Sequence, residues 1–186
     1  MLNNKIEVKI ADIVTAKTDA VVCSSNKSLL KGSGLSKFIY EAAGQKLVED
    51  EASVYAPLEE GTACFTSGFN LPARYIIHTA VPNLYNLRLK EGYEQRFSFC
   101  YVSILKLAEE LNARTLAVPP LGVGHYGWPL GKMVQICLDT VCWYFINHKG
   151  SKIEKLVLVC REQKQLNAYN SYLYSREFHD KFRGLQ

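Results

Sequence analysis

The sequence predicts an α/β domain with helices on both faces of a largely parallel sheet. Two observations carry this. Short runs rich in Val and Ile alternate with longer amphipathic segments, so the chain passes repeatedly from strand to helix. Gly and Pro, at Gly61, Gly68, Pro72, Pro82, Pro119, Pro120 and Pro129, mark the joins. The expected strands are KIEVKI (5–10), DAVVCS (19–24), ACFTS (63–67), YIIHTA (75–80), TLAVP (115–119) and KLVLVC (155–160). Each is short and β-branched, which favours strand over buried helix. Helices are expected near 35–50, 92–112, 130–148 and 164–175. In the second, Phe97, Tyr101, Ile104, Leu105, Ala108 and Leu111 recur at three- and four-residue steps and form one apolar face.

Composition narrows the possibilities. A length of 186 residues suits one domain with a sizeable core. Apolar residues make up 48% and charged residues 22%, ordinary for a globular chain. The net charge of +4 mildly favours anionic ligands, without the stripe of Lys and Arg that a dedicated nucleic-acid binder carries. No apolar stretch approaches ~18 residues, and MLNNKIEVKI lacks the apolar segment of a secretory leader, so no membrane association is expected. The six cysteines contain no CxxC pair and sit in apolar runs. That pattern predicts buried thiols in a reducing, cytoplasmic or nuclear setting, with no metal site.

In sheets of this kind ligands bind beyond the carboxyl ends of the strands. This places CSSNKSLLKGSGL (23–35) and PPLGVGHYGWPL (119–130) on one edge. ADIVTAKT joins them if its strand is parallel to the rest. The second loop contains a literal GxGxxG, from Gly122 to Gly127. A dinucleotide fingerprint normally lies in the first strand–helix unit with an acid ~20 residues on. This loop is late, is flanked by prolines, and leads into a long helix instead. The first loop's GSGLSK has no third glycine and no Walker Lys-Ser pair. Both loops nevertheless place flexible backbone before a helix, where free amides and the helix dipole favour an anion. Two such loops facing each other would suit a diphosphate.

Side chains around the loops have two readings each. Asn26 offers a donor and an acceptor suited to sugar hydroxyls, and Asn is equally common in turns. Asp12, just past a strand, is suited to accept from an exocyclic amine, and is also a usual turn or cap residue. Tyr126 is placed either to pack on a sugar or to anchor its loop to the core. His125 lies in the same loop, where histidine is usually just solvated. His78, inside a strand, reads as a core histidine.

Taken in order, ADI, TDAVVCSSNKSLLKGSGLSKFIYEAAG, GTACFTSGFNLPARYIIHTAVP and LAVPPLGVGHYGWPL closely resemble the macrodomain family. The resemblance spans residues 5–160 and implies a three-layer α/β/α fold with a mixed, largely parallel sheet, as one domain over 1–186. It implies binding of ADP-ribose, free or as mono-ADP-ribosyl groups on proteins, by a monomer with no cofactor and no requirement for nucleic acid. Asp12 would recognise the adenine amine with Ile13 beside it. Asn26 would contact the distal ribose. Gly32, Ser33, Gly34 and Leu35 would form one diphosphate loop. Gly122, Val123, Gly124, His125 and Tyr126 would form the other, with Tyr126 against the distal ribose. Arg161 falls where family members often carry an aromatic beside adenine, and a guanidinium can stack there too.

This chain departs from the pattern in places. CSSN stands where relatives often read NAAN, and Ser33 interrupts the glycine run. Ser36 stands where one hydrolase subgroup has an aspartate proposed to orient water. A serine hydroxyl holds water but is a poor base at neutral pH. Three readings follow: a binding module, a mono-ADP-ribosyl-protein hydrolase in which Asn26 positions the distal ribose, and, outside the family, an NAD-dependent oxidoreductase using GVGHYG.

Overall fold

The computed structural model describes residues 4–85 and 91–182. Six strands form one sheet: β1 (Ile6–Ile10), β2 (Ala20–Ser25), β3 (Ala63–Ser67), β4 (Tyr75–Ala80), β5 (Thr115–Val118) and β6 (Lys155–Cys160). Their order is β1-β6-β5-β2-β4-β3. All neighbours are parallel except β3, which runs antiparallel to β4 at the edge. The sheet is therefore mixed, and largely parallel.

The strands read as nearly continuous apolar runs because both faces are covered. In β2, Ala20 and Val22 point to one layer while Val21 and Cys23 point to the other. The first layer contains α3 (Tyr93–Glu110), α4 (Leu130–Asn147) and α5 (Gln163–Leu173). The second contains α1 (Gly34–Ala43) and α2 (Gln45–Ala52). The result is a three-layer α/β/α sandwich. A smaller cluster joins Cys64 of β3 and Ala80 of β4 to Ala52 of α2 and to Leu29 and Leu58. All six cysteines are buried and unpaired. Burial pushes the Cys23, Cys64, Cys100, Cys137 and Cys142 thiols up to about 12 and Cys160 to about 11. They act as small hydrophobes.

Three expectations need correction. The helix predicted over 35–50 is two helices. Gly44 takes φ +105°, donates to Tyr40 O at 3.0 Å and ends α1, a left-handed stop suited to glycine. A sixth helix, α6 (Arg176–Lys181), follows α5. Ser175 caps it by accepting from Phe178 N at 3.1 Å, and Phe178 packs into the core. Finally, the glycine turn of the second loop does not open directly into a helix, because α4 begins only at Leu130, beyond Pro129.

Candidate functional site

The parallel strands end on one edge, and their exits converge there. Asp12 follows β1, Asn26 follows β2, Pro119 follows β5 and Arg161 follows β6. Between them runs a cleft of two lobes. The outer lobe, about 900 Å³, is lined by Asp12, Ile13, Phe38, Glu41 and Arg161 among others. The inner lobe, about 350 Å³, is lined by Asn26, Gly32, Ser33, Ser36, His125 and Tyr126 among others. Gly34, Leu35, Pro120 and Val123 line both, so the two lobes share a neck.

The first loop builds one side of that neck. Ser33 is the N-cap of α1 in extended backbone, with no side-chain capping bond. The first turn of α1, whose Gly34 and Leu35 line the neck, is thus left without a side-chain cap at an end where the helix dipole favours an anion. Gly34 takes φ +60°, which a side chain would strain. Gly32 is tight for a different reason. A Cβ there would lie 2.9 Å from Ser36 Oγ and 3.5 Å from Asn26 Nδ2. Ser36 is buried and donates to Ser33 O at 3.1 Å. Lys31 N donates to Glu49 Oε1 at 2.8 Å, which ties the loop to α2.

Asn26 folds its own loop. Its Nδ2 donates to Leu30 O at 2.8 Å, and its Oδ1 accepts from Ser28 Oγ at 2.8 Å and Leu30 N at 3.3 Å. The turn role is thus fulfilled, and a second Nδ2 proton remains for the inner lobe. Leu29 within this loop holds φ +55°. That costly conformation is fixed from below, because Tyr40 OH donates to Leu29 O at 2.8 Å.

Under the loop lies His78, fully buried. Its Nε2 is 2.9 Å from Thr66 Oγ1, and its Nδ1 is 3.2 Å from Ser25 Oγ and 3.4 Å from Tyr40 OH. The Tyr40 proton is committed to Leu29. The contacts fit a neutral ring that accepts at Nδ1 and donates at Nε2. Burial holds the imidazole down at about 3, far below its ordinary range. His78 is a core histidine, as its sequence context suggests, and it braces the strand end that carries Asn26.

The second loop forms the opposite wall. Gly122 and Gly124 hold φ +69° and +102°, left-handed turn geometry that suits glycine. Trp128 fastens the loop: its Nε1 donates to Pro82 O at 2.8 Å and its ring stacks on Phe97 at 4.0 Å. Tyr126 reaches across to β2, its hydroxyl donating to Ser25 O at 3.3 Å. It both anchors the loop and forms part of the inner wall. The loops meet at their tips, where Ser33 Oγ lies 3.4 Å from His125 Nδ1.

Asp12 sits at the outer rim and accepts from Val14 N at 3.2 Å, capping the turn Ile13–Thr15. Ile13 is buried beneath it. The ligand-binding residues expected from the sequence line one lobe or the other, apart from Gly124. Gly124 lies on neither wall; it sits at the exposed tip, and a Cβ there would meet nothing within 4 Å. Phe38 is the residue that sequence reasoning missed. It lies on α1, 47% exposed, with the Arg161 guanidinium 4.9 Å from its ring centroid. An exposed aromatic one step off the apolar stripe of a helix is the signal that would have found it.

The Macro domain family model matches residues 22–137. Macro domain-containing protein CT2219 of Chlorobaculum tepidum is 36% identical over 163 residues, covering 88% of this chain and 92% of that protein. ADP-ribose glycohydrolase MACROD1 of Bos taurus is 33% identical over 172 residues, 92% of this chain and 52% of the relative. The chain thus spans about half the length of that relative. Among solved structures, an Oceanobacillus iheyensis macrodomain with ADP superposes with a TM-score of 0.82 at 26% identity, over 92% of this chain and 91% of the other. The two-lobed cleft at the ends of parallel strands, the family model and these relatives agree: the chain belongs to the Macro domain family.

Proposed function

We propose that this protein binds ADP-ribose, free or carried as a mono-ADP-ribosyl group on another protein. The single observation behind this reading is the neck between two lobes, walled on one side by the first turn of α1 and on the other by the Gly122–Val123 turn. Its amides suit a diphosphate. The outer lobe has room for adenosine, with Asp12 to accept from the adenine amine and Phe38 and Arg161 as flat partners for the base. The inner lobe would take the distal ribose, against Asn26 and Tyr126. Calorimetric titration tests the reading: ADP-ribose should bind with one-to-one stoichiometry. Indifference to ADP-ribose, or binding of NADH in its place, would reject it.

A second reading, removal of the group, is favoured by the relatives named ADP-ribose glycohydrolase. In that reaction water adds to the anomeric carbon of the distal ribose. The bond to the glutamate oxygen breaks, the carboxylate leaves with the bonding pair, and the proton lost by the attacking water passes to solvent. Ser36 gives its proton to Ser33 O, so its lone pairs can accept from a water while it supplies no base. Catalysis would then rest on positioning by Asn26 and the loop amides. Turnover of a glutamate-linked mono-ADP-ribosylated protein separates the readings. Label that survives long incubation despite binding means a binding module. If label is lost, Asn26→Ala should slow its loss strongly.

A further inference from the structure

We propose that two copies of this chain join edge to edge through β1, antiparallel and centred on Val8, in place of the monomer that the family resemblance implies. β1 is the end strand of the sheet. Lys5 O accepts from Leu156 N at 2.7 Å, and Ala11 N donates to Cys160 O at 3.1 Å. In a parallel ladder with this register, Glu7 and Lys9 also turn their backbone groups toward β6. The N–H and C=O groups of Ile6, Val8 and Ile10 therefore face outward. Among the described residues, no loop backbone group bonds to them. The opposite edge is guarded: Glu51 reaches over β3 and accepts from Ser67 N at 3.1 Å. β1 has no such cover, and Ile10 on it is 48% exposed.

The order of charges along β1 selects what fits this edge. Lys and Glu on an edge strand usually keep other strands away. Here Glu7 and Lys9 stand on one face, one on either side of Val8, with Glu7 Oε1 3.0 Å from Lys9 Nζ. Set Val8 opposite the partner's Val8. The two valines then exchange both their outward bonds, and Ile6 does the same with the partner's Ile10. Glu7 falls opposite the partner's Lys9, and Lys9 opposite the partner's Glu7. These are non-hydrogen-bonded pairs, whose Cα atoms approach to about 4.5 Å, so the opposite charges meet closely. The next register in one direction sets Glu7 against the partner's Glu7. The next in the other sets Lys9 against the partner's Lys9. Both repel, so the pairing is confined to one register. On the other face, Ile10 is covered by the partner's Ile6. A second copy thus complements the edge in charge and in bonding, and the two-fold contact closes on itself. The paired strands run in opposite directions, so the two clefts open at opposite ends of the joined sheet. On the ADP-ribose reading, one dimer could bridge two modified proteins.

The test is sedimentation velocity from about 1 to about 300 μM protein, with amide hydrogen exchange at both ends of the range. The mass should rise reversibly from that of one chain to that of two. In dilute protein the amides of Ile6, Val8 and Ile10 should exchange freely while those of Glu7 and Lys9, bonded to β6, stay protected. In concentrated protein all should be slow. Lys9→Glu sets like charges across both pairs and should weaken dimerisation about ten- to thirtyfold. The double variant Glu7→Lys, Lys9→Glu should recover most of that loss. Val8→Pro removes an outward N–H while sparing the bonds to β6, so it should abolish the dimer. ADP-ribose affinity should be the same in Lys9→Glu as in the wild-type protein. A chain that stays monomeric throughout, its edge left to a strand of some other protein, overturns the inference. So does a dimer that is indifferent to Lys9→Glu, or one in which the outward amides still exchange freely. Failure to bind ADP-ribose would reject the functional reading and leave the dimer standing.

Discussion

His78 offers the most quantitative check on how the site is braced. Burial depresses its imidazole from an ordinary value of 6.5 to about 3. The unfolded chain therefore binds a proton that the folded chain refuses. The sign follows: stability is full above the ordinary value and falls as pH drops below it, down to the folded value. The slope between the two is about 1.4 kcal/mol per pH unit. Moving from about pH 7.5 to about pH 5 should cost about 2 kcal/mol through this one group. The control is His78→Gln, whose amide can still bond to Thr66 and Ser25 but cannot take a proton. Urea unfolding at the two pH values measures both proteins. Other groups titrate too, but they are common to both chains. The wild-type protein should lose about 2 kcal/mol more than the variant. Equal losses would mean that His78 is either solvated or charged in the folded state, and the bracing of the Asn26 loop through Ser25 and Tyr40 would fall with it.

Other consequences concern the cleft directly. Asp12→Ala should weaken ADP-ribose binding by about 1.5–3 kcal/mol, the cost of one charged hydrogen bond, as read by calorimetry; unchanged affinity would remove Asp12 from the site. Phe38→Ala should cost about 0.5–1.5 kcal/mol of the same affinity if the ring stacks on the base. Gly122→Ala should lower unfolding free energy by about 1–3 kcal/mol. It strains a backbone at φ +69° and sets a Cβ 2.6 Å from Trp128 Cδ1, so urea unfolding with tryptophan fluorescence should report the change.

Much of this was legible in the residues. Each strand lies within a residue of its apolar run, because burial on both faces leaves a continuous Val- and Ile-rich signature. The break at Gly44 was harder, since a glycine inside a periodic pattern is compatible with either a kink or a cap. The short α6 was missed because one turn and a half carries too little periodicity; only the Ser175 cap marks it. The cleft residues stood out because they cluster at strand ends in two glycine-bearing loops. Phe38 did not, because its role depends on β6 delivering Arg161 beside α1. The meeting of Ser33 with His125 is likewise a matter of tertiary placement: the two lie 92 residues apart in the chain.

The central claim is that the backbone amides of the two loops grip a diphosphate between them. Amide-resolved NMR during titration with ADP-ribose tests it most directly. The largest shifts should fall on residues 32–36 and 122–126, with smaller ones at Asp12 and Arg161. Saturable binding that leaves both loops unmoved, with shifts confined elsewhere on the surface, would contradict it.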